Sequence, residues 1–213
     1  MIWGKLFGSG GGSEPGPRVA EVRNVTIGRQ VRLDPLAWRT LEGATFSLAR
    51  DTLEITAQGL IKLDEGGYVH RFYTDDELML QAVSQAADGS DADDFTLFQP
   101  WRSAYPANRG EREAFLTRLS RNRFEEPGLP PFDRYWYEGD EGTQPPVRLW
   151  EAVYHERDGE PVRHIRQSCM LYARAVPPAG EELLLALAME PEGGDYTHEI
   201  MIGLAVSPGE FTA

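Results

Sequence analysis

The chain carries a single cysteine, Cys169, in 213 residues. No internal disulfide can form, and nothing in the sequence calls for an oxidising compartment, so a cytoplasmic location is the default. No apolar run reaches the roughly 18 residues that a membrane-spanning helix needs. Basic residues are in deficit: 21 Lys and Arg against 34 Asp and Glu leave a formal net charge of -13. A surface of that sign repels a duplex and an anionic bilayer, so no general nucleic-acid binding is expected and membrane contact is at most peripheral. The four histidines, His70, His155, His164 and His198, are spread one per expected strand, without the close spacing of metal ligands.

What the chain does have is unevenly placed. Residues 1 to 50 hold seven Lys or Arg and four Asp or Glu, a local excess of +3 that leaves -16 for the remainder. Arg102, Arg109, Arg112, Arg118, Arg121 and Arg123 form a second basic stretch, and a run of this kind is usually a solvated helix face. The opening MIWGKLF places Ile2, Trp3, Leu6 and Phe7 in front of GSGGGSEPGP. Its short apolar portion does not make a secretory signal. The glycine-rich stretch predicts a flexible tether reaching roughly 15 to 20 Å, so residues 1–17 read as an apolar-aromatic tail on a linker and 18–213 as the folded domain.

Along that domain the periodicity is mostly two. DTLEITAQGLIKLDEGGYVHRFYTDDELMLQAV predicts a β-meander, with Val69, Arg71 and Tyr73 alternating against His70 and Phe72. FTLFQPW reads as a short strand ended by Pro100. Helix 109–121 is marked by Asn108 as cap, Glu111 three residues on, and a stripe of Phe115, Leu116 and Leu119. After the breaker EEPGLPP, two alternating runs surround Asp158-Gly159 in a hairpin pattern, and EELLLALAMEP and HEIMIGLAV add two strands. The expected fold is α+β and mainly antiparallel β, with two β-rich halves, 18–105 and 130–213, flanking one central helix.

Most familiar chemistries fail on residue type. GSGGGS lacks the Gly-Lys-Ser/Thr ending of a phosphate loop, and HEIMI has Ile202 where a zinc-protease helix needs its second histidine. DGSDADD offers Ala92 and then Gln99 where a calcium loop needs oxygen ligands and a bidentate glutamate, which leaves an acidic surface loop. Cys169 sits in the apolar run CMLYA with no base to activate it. No catalytic residue, metal ligand or cofactor is therefore assigned. Convergence of Glu138, Asp140, His155, His164 or His198 in one cleft would reopen an enzymatic reading.

One cluster carries a pattern of its own. FDRYWYEGDEG sets Tyr135, Trp136 and Tyr137 beside Glu138, Asp140 and Glu141. Aromatic faces next to carboxylates are what a polyamine-like cation requires, through cation–π contact and ion pairing. A core strand ending in an acidic turn has the same composition.

At HRFYTDDE (70–77) and CMLYAR (169–174) the chain resembles the YjfK-like family of bacterial proteins of unknown function. The resemblance implies a cytoplasmic protein encoded near a phage-shock-protein-A-like membrane-remodelling protein, and it supplies no catalytic residues. It also implies a use for the tail. Ile2, Trp3, Leu6 and Phe7 would dock on that partner and hold the protein peripherally at the inner membrane, in envelope stress or membrane maintenance. With Lys5 as the tail's one basic side chain, a protein groove suits it better than bare anionic lipid.

Overall fold

The computed structural model describes residues 19–34, 43–64, 66–137, 142–178 and 180–213. The tail and linker, the Pro35 and Trp38 stretch, and Glu138, Asp140 and Glu141 lie outside the described residues. Among the described residues twelve strands and one α-helix follow in order: β1 (Gln30–Leu33), β2 (Thr52–Lys62), β3 (Tyr68–Thr74), β4 (Met79–Ser84), β5 (Asp94–Ala104), α1 (Arg109–Leu119), β6 (Arg123–Phe124), β7 (Phe132–Arg134), β8 (Val147–Tyr154), β9 (Arg163–Val176), β10 (Gly180–Pro191), β11 (Thr197–Val206) and β12 (Phe211–Thr212).

The strand pairings close on themselves. Around the ring, β2-β3-β4-β5-β11-β10-β9-β8 are each antiparallel to their neighbours, and β8 returns to β2. The result is an eight-stranded barrel made of two four-stranded meanders, β2–β5 and β8–β11, joined edge to edge. β1 and β12 extend the free edge of β2 beyond β8, while β7 and β6 extend that of β9 at the other end.

This overturns the expectation of two β-rich halves around a central helix. Strands of the first half pair with strands of the second at both seams, β5 with β11 and β2 with β8. Alternating hydrophobicity shows that a segment is a strand; it does not show which edges meet. The helix lies against β9 and β10 on the outside of the barrel. It forms for the reasons its sequence suggests: Asn108 Oδ1 accepts from Glu111 N at 3.0 Å, and Glu111 Oε2 accepts from Ala107 N at 2.8 Å. Phe115 and Leu119 are its buried side chains.

A second correction concerns Pro100. β5 does not stop there but runs on to Ala104, because Pro100 falls at a register shift against Ile200 and Met201 of β11. At a bulge, the missing N–H costs no ladder bond. The Asp158-Gly159 hairpin pattern does join β8 to β9, through a loop of residues 155–162.

The two faces of the barrel wall build two cores. Met79, Phe98, Cys169, Leu183, Leu185, Leu187 and Met201 fill the interior. On the outer face Phe72, Leu80, Phe95, Leu97, Leu184, Ile202 and Leu204 are covered by Val22, Val25, Phe46, Phe115, Phe124, Phe132 and Phe211. Trp136 is half-buried and packs against both cores.

Candidate functional site

Polar chemistry gathers in two places, one inside the barrel and one outside. Inside, Arg71 on β3 donates through Nη1 to Glu151 Oε2 on β8 at 2.9 Å and to Gln167 Oε1 on β9 at 2.7 Å. Its Nε donates to Gln81 Oε1 on β4 at 3.0 Å. Tyr73 Oη donates to Glu151 Oε1 at 2.5 Å, and Gln167 Nε2 donates to the same carboxylate. Side chains from β3 and β9 meet although β2 and β8 lie between them in the wall, so this face is the concave one.

Arg71 and Glu151 are fully buried, which is tolerable because each charge has its opposite and several hydrogen bonds. Burial alone would lower the pKa of Arg71, but the Glu151 carboxylate and Tyr73 outweigh it and hold the guanidinium above its ordinary value. Burial and then the same carboxylate push the Tyr73 phenol well up, so it keeps its proton. Nearby, burial drives the Cys169 thiol to about 12. Arg71, Glu151, Gln167 and Tyr73 satisfy one another, while burial pushes up the carboxyl of the neighbouring, partly buried Glu199 on β11.

Outside, the turn after α1 forms the second site. A cleft of about 370 Å³ is lined by Arg118, Arg121, Asn122, Arg123 and Glu125 together with Gly142 and Thr143. Tyr172 Oη donates to Leu119 O at 2.8 Å, Gln144 N to Ser120 O at 2.9 Å, and Arg134 N to Asn122 O at 2.8 Å. Three separate segments therefore pin this turn. Arg134 Nη1 also donates to Gly142 O at 2.8 Å, tying β7 to the segment that enters β8.

The aromatic cluster divides. Tyr135 and Tyr137 are about half-exposed, whereas Trp136 is a packing residue between the two cores. Trp136 keeps part of its surface exposed, and the carboxylates of the cluster, Glu138, Asp140 and Glu141, lie outside the described residues. The cation reading draws no support from these residues.

The histidines keep separate company. His164 stacks on Trp150 and lies 3.5 Å from Glu192, while His198 stacks on Phe115 and meets Tyr196 edge-on. His70 is buried and bonds to Ser84 Oγ at 3.0 Å. Above it the DGSDADD loop uses its own carboxylates as caps, Asp91 accepting from Gln85 N and Ala86 N and Asp88 from Ser90 N, each at 3.1 Å. Among the described residues no group of three or more His, Cys, Asp and Glu is placed to hold a metal ion.

Sequence reasoning missed the interior network. Its signal was present in the alternation, because Arg71 shares a face with Val69 and Tyr73, and Glu151 one with Leu149 and Val153. A charge within an apolar stripe on two strands marks a pair that meets in the interior.

The fold and these two sites define a closed antiparallel β-barrel with a self-satisfied polar interior and an arginine-lined cleft on its outer layer. The chain belongs to the family described as Protein of unknown function (DUF2491), which it matches over residues 2–212. That membership is compatible with the YjfK-like resemblance. No curated protein and no solved structure matches the chain.

Proposed function

We propose that this is a non-enzymatic accessory protein whose barrel is a rigid support for contacts made by its outer surface and its N-terminal tail. The observation that carries this reading is the filled interior. Arg71, Tyr73, Glu151 and Gln167 hydrogen-bond to one another among close-packed apolar side chains, so recognition falls to the outside. Exposed rings of Trp101, Tyr105, Tyr135, Tyr137 and Trp150 supply contact area there.

On the family resemblance, the partner is a phage-shock-protein-A-like coat protein, engaged by Ile2, Trp3, Leu6 and Phe7 and holding the protein at the inner membrane. A tail with four apolar side chains, each contributing about 1.5 to 3 kcal/mol on full burial before ordering costs, gives reversible association. A crosslinked pull-down from bacterial membranes tests the reading, comparing the intact chain with a Trp3→Ser, Phe7→Ser variant by mass spectrometry. Recovery of the coat protein with the first and its loss with the second is expected. Equal recovery with both would remove the tail from the reading.

A further inference from the structure

We propose that the cleft at the end of α1 binds a phosphoryl group, the anionic end of a small phosphorylated molecule. Arg118, Arg121 and Arg123 line one cleft, with Glu125 as the single carboxylate among its described lining residues. Three guanidiniums brought together repel, and among the described residues their carboxylate partners do not fully offset them.

Arg118 is held by Glu126 at 2.5 Å and lies over the Phe124 ring at 4.0 Å. That buried carboxylate is shared with Arg102 at 2.8 Å, one negative charge between two positive ones. Arg123 approaches Glu125 and Asp133 only to 3.9 and 3.5 Å, beyond the roughly 2.7–2.9 Å of a direct charge-assisted bond. Arg121 is exposed and makes no ion pair among the described residues.

The frame is in place before any ligand arrives. Leu119, Ser120 and Asn122 are each held through their carbonyls by a different segment, so binding orders side chains and not backbone. Arginine forks fit phosphate oxygens in pairs, and a tetrahedral dianion has acceptors for three forks where a carboxylate has two oxygens. Asn122 and Thr143 add neutral polar groups to the lining. At about 370 Å³ the cleft is at the small end of the range for small-molecule sites. A net charge of -13 sets the protein against an anionic bilayer, which favours a soluble ligand over a lipid headgroup.

Calorimetry of the full chain with inorganic pyrophosphate tests this. Saturable one-to-one binding is expected, weakened about tenfold or more by Arg121→Ala and by Arg123→Ala. Arg109→Ala removes the same charge from the start of α1, outside the cleft, and should leave the affinity unchanged. Absence of saturable heat with the intact chain would overturn the proposal, as would an equal loss in Arg109→Ala, which would mean general electrostatic attraction. Sedimentation with phosphatidic acid vesicles separates the sources. Cosedimentation that depends on Arg121, without pyrophosphate binding, would overturn the soluble ligand in favour of a headgroup. None of these variants alters the tail, so failure here is distinguishable from failure of the pull-down.

Discussion

The barrel closes at two seams, and different physics closes each. β5 and β11 meet along nine register pairs, from His198 opposite Ala104 to Val206 opposite Phe95. Phe98 and Met201 bury inward there, and Leu97, Ile202 and Leu204 outward. β2 and β8 share four pairs, Gln58 to Ile61 against Tyr154 to Glu151. Above that short ladder, Arg71 and Tyr73 reach over β2 to Glu151. Apolar burial is strong but non-directional; hydrogen-bonded charges are directional and contribute little net stability when buried. The difference teaches that a long ladder is closed by area, whereas a short one has its register set by groups that match in a single alignment.

The largest expected effect breaks the short seam. Glu151→Ala leaves the Arg71 guanidinium buried without its carboxylate and should cost about 3–5 kcal/mol in urea denaturation. The paired change Arg71→Met, Glu151→Leu removes both charges and should recover most of that loss. A cost under about 1 kcal/mol for Glu151→Ala would sink the contrast between the seams.

Each seam also contains a glycine at a close approach, and these sharpen the comparison. A Cβ on Gly59 would sit 1.8 Å from Glu151 Oε1, and one on Gly203 would sit 2.5 Å from Phe98 Cδ1 and 2.8 Å from Leu97 O. Both are overpacking changes of about 1–3 kcal/mol or more. Gly59→Ala should be the costlier, because it displaces a carboxylate held by Arg71, Tyr73 and Gln167. Adding Phe98→Leu should relieve Gly203→Ala in part, because it removes the ring contact and leaves the Leu97 carbonyl in place. The same thermal melts that rank the two would refute this if Gly203→Ala proved the more damaging.

Much of the wall was legible in the sequence and its closure was not. The strands around Val69, Leu185 and Ile202 announce themselves by alternation, and Asn108 with Glu111 marks the start of α1. Long-range pairing leaves no such local mark. Nothing near Leu97 says that it will face Leu204, or near Ile61 that it will face Glu151. The arginine stretch has the pattern of one solvated face, but tertiary contacts divide it. Arg109 is exposed and paired with Glu113, Arg112 covers Tyr196, and Arg118 is held on Glu126. The cleft needed Gly142 and Thr143, some twenty residues away, so helical spacing alone could not show it.

The smallest expected effect compares two histidines, one on β3 beside the short seam and one on β11 in the long one. His70 Nδ1 and His198 Nε2 are both buried without a hydrogen-bond partner. Burial lowers the pKa of each; for His70 the Ala86 backbone, Asp88 and Asp91 oppose it, and for His198 Arg112 adds to it while Glu111 opposes. Above the unfolded pKa of about 6.5 both states are neutral and the full stability is present. As pH falls from there through the depressed folded values, the unfolded chain takes up protons that the folded one refuses, and stability is lost. The Asp75, Asp76, Asp88 and Asp91 carboxyls, all held below their ordinary value, add their own loss only at lower pH. Melting temperature should therefore fall between about pH 7 and pH 5, and His70→Asn should flatten that slope more than His198→Asn, because His70 is wholly buried. An unchanged slope in His70→Asn would mean that this ring takes up its proton inside the folded barrel wall, and that the strand beside the short seam yields more readily than its packing implies.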